Sequence, residues 1–324
     1  MRRREFIKFI GAMTSVWPLY SFAQEAGRSY RVGSLYQASW DAPHHVAFRE
    51  ELKRLGFIES SNLTIDRTGH GMRPDQFAQH AANLVMSKVD AIQCGGDAAI
   101  RAAQQATTAV PILGLTDDMV GAGLVRSLAN PGGNTTGVSI LASELDGKRQ
   151  EILLELIPAA RQIAVLADSA TTAPGKLRAL ADAGAARGVK VVVHEVRTVE
   201  QIASAVDSAK ASGSAALNVL ATPLFFNNRQ IIFERTAALR LPAIYQWPEI
   251  ARDGGLIAYG PSIIKIYRRQ LAPMLAKLLR GARPAELPVE QPTEFDLVTN
   301  LRTANALGIT VPTSLLARAD EVIE

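Results

Sequence analysis

Five histidines, one cysteine and a scatter of carboxylates are the side chains of this 324-residue chain with reactive potential. The histidines are His44, His45, His70, His80 and His194, and none stands at the i, i+4 spacing of a His-Glu-x-x-His zinc helix. His44 and His45 are adjacent and point to different sides of a helix. Cys94 has no cysteine to pair with, which removes disulfides and Cys-based zinc sites and leaves a small buried side chain as its default role. No Gly-x-x-x-x-Gly-Lys phosphate loop occurs, and Gly33 stands alone after the first apolar run where a dinucleotide fingerprint would need three glycines. A Gly-x-Ser-x-Gly nucleophile elbow is also missing. The expectation is a protein without catalytic residues, metal or cofactor.

The remaining polar features suit binding. They fall just after apolar runs: Trp40 and Asp41, Gly95-Gly96-Asp97, Thr116-Asp117-Asp118, Thr222-Pro223, Tyr245-Gln246-Trp247 and Tyr259-Gly260. Glycine-flanked helix starts offer backbone N–H groups to a carboxylate. Asp97, Asp117 or Asp118 can pair with an ammonium, and Trp40, Tyr245 and Trp247 can stack on a flat or cationic group. Each also has a plainer role. Asp97, Asp117 and Asp118 are good helix caps, and the aromatic residues are good core.

The elements that must position these residues alternate. Residues 31–36 read as a buried strand, 44–55 as a helix ended by Gly56, 63–67 as a strand and 74–87 as a helix opened by Pro74. Strands at 89–94 and 111–115 flank an alanine-rich helix at 98–107. The second half repeats the plan, with strands at 161–167, 190–195, 215–220 and 242–245 and helices at 174–187, 199–211 and 225–239. Val110-Pro111-Ile112 and Leu241-Pro242-Ala243-Ile244 open matching late strands. Repeated β-α-β units give parallel sheets with helices on both faces, and open sheets of this kind bind ligands at the carboxyl ends of their strands. Loops of two similar halves would then face each other across a cleft. The turn cluster Asn130-Pro131-Gly132-Gly133-Asn134, through Gly147, reads as the hinge, and Gly260-Pro261 as a second crossing. A helix at 264–280 could return to the first half, and residues 295–299 read as a late strand.

Composition narrows the function class. The chain is 48% hydrophobic and 20% charged, as a globular protein is, and its size suggests about two domains. The formal net charge is +4, but the first 23 residues hold +3 of it, leaving +1 for the rest. Nucleic-acid binding thereby loses its electrostatic footprint. Those first residues have the layout of a secretory signal peptide: a basic Arg2-Arg3-Arg4 start, a short apolar stretch from 9 to 20, and a small-x-small site predicting cleavage after Ala23. Arg3-Arg4-Glu5-Phe6-Ile7-Lys8 is similar to the twin-arginine export motif. Export to the periplasm is expected.

Several segments carry a family resemblance. They are residues 48–57, 120–125, Leu128-Ala129-Asn130-Pro131-Gly132-Gly133-Asn134 with the following 135–138, 241–245, 254–261, 287–293 and 315–321. Together they resemble the bacterial ABC transporter substrate-binding proteins of the tryptophan/tyrosine type, over nearly the whole chain. The resemblance implies an α/β fold of two Rossmann-like lobes with parallel sheets, the type 1 periplasmic binding protein fold with three crossovers. It places residues 29–143 and about 262–285 in one lobe, and 144–261 and about 286–324 in the other. It implies non-catalytic capture of a small solute, an aromatic amino acid or related amphoteric molecule, by hinge closure and delivery to an ABC permease driven by a separate ATPase chain. The expected contacts are Trp40, Gly96, Asp97, Asp117 and Asp118 on the first lobe, and Thr222, Pro223, Tyr245, Gln246 and Tyr259 on the second. An exported hydrolase or isomerase on the same fold, or a ligand sensor for a membrane receptor, are the alternatives.

Overall fold

Residues 28–324 are described by the computed structural model, so the export signal and its cleavage point at Ala23 lie outside the described residues. The first half lays down β1 (Tyr30–Leu35), α1 (Pro43–Arg54), β2 (Leu63–Ile65), α2 (Phe77–Met86), β3 (Ala91–Gly95), α3 (Asp97–Ala106), β4 (Ile112–Thr116) and β5 (Thr135–Ser139). The five strands form one all-parallel sheet in the order β2-β1-β3-β4-β5. Burial on both faces suits the near-continuous apolar runs that the sequence shows.

The second half follows with α4 (Asp146–Leu156), β6 (Gln162–Asp168), α5 (Pro174–Ala185), β7 (Lys190–Val196), α6 (Glu200–Ala211), β8 (Leu217–Val219), α7 (Pro223–Asn227), α8 (Arg229–Ala238), β9 (Ala243–Tyr245), α9 (Pro248–Arg252) and β10 (Ile257–Gly260). Proline opens α1, α5, α7 and α9, where its fixed φ suits a helix start and its missing N–H costs nothing. The chain continues through α10 (Ile263–Ile266), a π-helical segment (Tyr267–Leu271) and α11 (Ala272–Leu279). It ends with β11 (Asp296–Asn300), α12 (Leu301–Leu307), α13 (Thr313–Leu316) and β12 (Glu321–Ile323). The second sheet runs β12-β11-β10-β9-β8-β6-β7, with β11 antiparallel to β10. Its members β7-β6-β8-β9-β10 repeat the order of the first sheet, so the two halves share one topology.

Three segments connect the sheets. Residues 140–145 lead from β5 to α4, 261–262 lead from β10 to α10, and 291–295 lead back to β11. The helix from α10 to α11 packs on α1 of the first lobe. The turn at 130–134 lies within the first lobe and feeds β5, and the first crossing at 140–145 falls in the later part of the stretch through Gly147 read from the sequence as the hinge. Gly137 in that strand has φ +152°, and a Cβ there would lie 1.8 Å from the Gly114 carbonyl oxygen. Residues up to Glu290 also stay with the first sheet: Thr136 Oγ1 donates to the Leu287 carbonyl at 2.7 Å, and Glu290 N donates to the Gly137 carbonyl at 2.9 Å. The return to the second lobe therefore begins after Glu290 rather than near 286. One apolar core runs through both lobes, from Tyr30, Phe48 and Leu113 to Phe225, Tyr245 and Val298.

Candidate ligand site

Loops and helix starts that follow the strands of the two lobes touch each other, Asp117 against Lys176 and His44 against Phe226. On the first lobe, Gly96 is the N-cap of α3 with φ +89°, and open space surrounds the place of its missing Cβ. Asp97, the first residue of α3, is exposed and accepts a hydrogen bond from Thr116 Oγ1. Asp117 spans the lobes. Its Oδ1 accepts from Ser143 N at 3.1 Å in the first crossing, and its Oδ2 lies 3.9 Å from Lys176 Nζ on α5. Asp118 turns inward on its own loop and accepts from Val120 N and Gly121 N at 3.1 and 2.8 Å. Trp40 is engaged by the chain's own cations, with the Arg49 guanidinium 3.8 Å and that of Arg67 4.8 Å from its ring centre.

On the second lobe, Thr222 caps α7 by accepting from Leu224 N and donates to Asp168 Oδ2 at 2.8 Å. Pro223 follows it, exposed, as the first residue of α7. Tyr245 is core: its ring meets Phe233 edge-on at 5.5 Å, its hydroxyl bonds Thr236, and burial pushes its pKa up. Gln246 is fully enclosed at 0% exposure, and neither its Nε2 nor its Oε1 finds a partner among the described residues. Tyr259, next to last in β10, is half-buried, 6.5 Å from the Phe295 ring. The structure thus brings Asp97, Asp117, Gln246 and Tyr259 to the strand ends, holds Thr222 and Asp118 in hydrogen bonds within their own lobes, and puts Tyr245 in the core.

Two groups at this junction escaped the sequence reading. Arg149 on α4 is 0% exposed, pairs with Asp146 and donates to the Tyr259 carbonyl at 3.1 Å. Burial pushes the Asp146 carboxyl pKa up, and the Arg149 guanidinium opposes that shift. The second group is a nest of rings. The rings of His44 and His45, read from the sequence as pointing to different sides of a helix, pack together 4.4 Å apart; His70 is 4.5 Å from His45, and Tyr267 from the π-helical segment is 4.7 Å from His44. Phe226 of the second lobe reaches His44 at 6.0 Å, so the lobes touch here. Burial drives the pKa of His44 down to about 2, of His45 to about 4 and of His70 to about 3. The only sequence signal was two histidines directly after Pro43 at a helix start; a search by metal-ligand spacing passes over it. Among the described residues no group of three or more His, Cys, Asp or Glu side chains is placed to hold a metal ion.

The model of the family described as ABC transporter substrate binding protein matches residues 43–323. The chain belongs to that family. Its members bind solutes rather than transform them, and substrate-binding proteins of ABC transporters work outside the cytoplasmic membrane, with a small solute and transporter components as the partners that membership implies. Among the described residues no helix is long and apolar enough to cross a membrane. A tyrosine-binding protein of Clostridioides difficile strain R20291 is 26% identical over 267 residues, covering 81% of this chain and 75% of the relative. Among solved structures, the ABC domain from Streptococcus pneumoniae in complex with L-Trp has a TM-score of 0.80 at 24% identity, covering 91% of this chain and 100% of the other. The ligand-free, open structure of a substrate-binding protein with adhesive properties from Clostridium difficile has a TM-score of 0.63 at 22% identity, covering 91% and 99%. These likenesses agree with two lobes of the type 1 periplasmic binding fold.

Proposed function

We propose that this family member is the solute-capturing subunit of an ABC importer in the periplasm, delivered there by its N-terminal export signal with cleavage after Ala23. It encloses an aromatic amino acid or related amphoteric solute between its lobes and hands it to a permease driven by a separate ATPase chain. The observation that carries this reading is Gln246. A buried amide with both atoms unpaired costs free energy, and natural folds keep few such groups. At the mouth of the second sheet it has a donor and an acceptor to give to a solute. Asp97 and Asp117 supply carboxylates for an ammonium from the facing lobe, and Gly96 opens the backbone N–H groups of α3.

The names of the relatives support the aromatic class, since one is a tyrosine-binding protein and another holds L-Trp. Closure driven by solute requires contacts with both lobes, because a ligand held equally in the open and closed states shifts nothing. The test is titration calorimetry of the mature chain with L-tyrosine and L-tryptophan, joined to small-angle scattering. Saturable binding without chemical conversion, with a fall in radius of gyration, is the expected result. No heat and no contraction with either amino acid would sink the aromatic reading.

A further inference from the structure

The first-lobe wall carries an acceptor that the carboxylates do not account for. His45, 2% exposed, lies in the first turn of α1. Its Nδ1 is 2.8 Å from the Ser39 carbonyl oxygen. A carbonyl only accepts, so Nδ1 carries the proton, and in a neutral ring that leaves Nε2 as a bare lone pair. Desolvation keeps the ring neutral. Nε2 is buried and meets no donor among the described residues.

No donor nearby bonds it, and both ring nitrogens of His70 also stand without a partner among the described residues. The hydroxyls of Tyr36 and Tyr267 pair in one bond, which takes up one of their two hydrogens. The Arg49 guanidinium lies over Trp40 and donates to the Trp40 carbonyl at 2.9 Å. Around His45 the walls are aromatic: Tyr36 at 4.5 Å, Tyr267 at 5.4 Å, and His70 at 4.5 Å backed by Trp40. An acceptor in an aromatic corner at the strand ends matches a flat ring that carries a proton donor on its edge.

We propose that His45 Nε2 is a solute-facing acceptor of the first lobe and selects aromatic solutes bearing a ring N–H or O–H over those with a bare ring. The inference rests on the aromatic reading of the cleft given above. A site built around a buried acceptor rejects the analogue that lacks the donor, because that ligand leaves the acceptor unpaired.

The experiment is calorimetry of the full mature chain with L-tryptophan, L-tyrosine and L-phenylalanine, on wild type, His45→Asn and His45→Gln. Melting curves without solute accompany each variant. Asparagine can keep the bond to the Ser39 carbonyl from the Nδ1 position but offers nothing at Nε2, whereas glutamine places an amide oxygen near Nε2. Wild type is expected to prefer tryptophan or tyrosine over phenylalanine by about tenfold or more. His45→Asn loses that preference with its solute-free melting temperature nearly unchanged, and His45→Gln retains part of it. A preference unchanged in His45→Asn, or no preference in wild type, overturns the role of His45 and leaves the cleft reading standing. Failure of all three amino acids to bind wild type overturns both. If His45→Asn does not fold, the glutamine variant decides: a preference kept supports the acceptor, and binding kept without preference overturns it.

Discussion

A side chain that is costly to bury and contributes nothing to folding is the clearest residue-scale mark of this site. Gln246 is one such group. Replacing it with leucine removes two unpaired polar atoms from a closed space, so the apo protein is expected to melt at an equal or higher temperature. Affinity for the solute should fall by about tenfold or more, equivalent to about 1.4 kcal/mol. Calorimetry beside thermal melts separates the two effects, and a variant that loses stability but keeps affinity would make Gln246 a structural residue. The histidines give a second residue-scale prediction. The pKa values of His44 and His45 are driven down to about 2 and about 4 in the folded state, against an ordinary 6.5. Between those values the unfolded chain binds more protons than the folded one, so stability is full above pH 6.5 and declines as pH falls below it. At pH 5 each ring should cost about 2 kcal/mol. Urea unfolding at pH 7 and pH 5 checks this, with His44→Phe and His45→Phe flattening the profile. The carboxylates at the same junction were legible in the sequence because they follow strands. The ring nest was not, since histidine pairs with no metal spacing carry no local signal and their burial comes from Tyr267, more than 200 residues away in the chain.

At the scale of elements, the strand–helix alternation was legible because hydrophobic runs, opening prolines and terminal glycines are local. The repeated order of the sheets follows from that alternation. What escaped was β5. Its segment Thr135–Ser139 carries two threonines, a glycine and a serine, and it follows a turn-rich stretch. Its burial comes from β4 on one side and residues 287–290 on the other, a long-range partner that no local pattern announces. Helix α4 went unread because Asp146, Arg149 and Gln150 are buried polar residues, which blur the apolar stripe of an inward helix face. Gly137 is the point where β5 depends on one residue type. With φ at +152° and the Gly114 carbonyl oxygen 1.8 Å from an added Cβ, Gly137→Ala must displace backbone. A loss of at least about 3 kcal/mol is expected, the range of severe overpacking and strain. Chemical denaturation measures it, and a near-neutral result would mean that β5 is not held as tightly against β4 as the geometry requires.

The whole molecule turns on the place where its crossings meet. Arg149 and Asp146 stand at the start of α4, just after the first crossing, and Arg149 also holds the Tyr259 carbonyl just before the second. One buried ion pair therefore fastens two of the three connections to each other at the edge of the proposed cleft. Two charges out of water gain little over an apolar pair, but stripping one partner leaves the other uncompensated. Arg149→Met is expected to cost about 3–5 kcal/mol. The double variant Asp146→Asn with Arg149→Met should recover a large part of that loss, since no charge remains buried. Urea midpoints for the two single variants and the double variant give the coupling directly. If the pair also sets the relative position of the lobes, the double variant will be stable yet show weaker solute binding and a smaller scattering contraction. Recovered stability with unchanged binding would confine the pair to holding α4 on the second sheet, and closure would then be governed by the cross-lobe contacts at Asp117 with Lys176 and at His44 with Phe226.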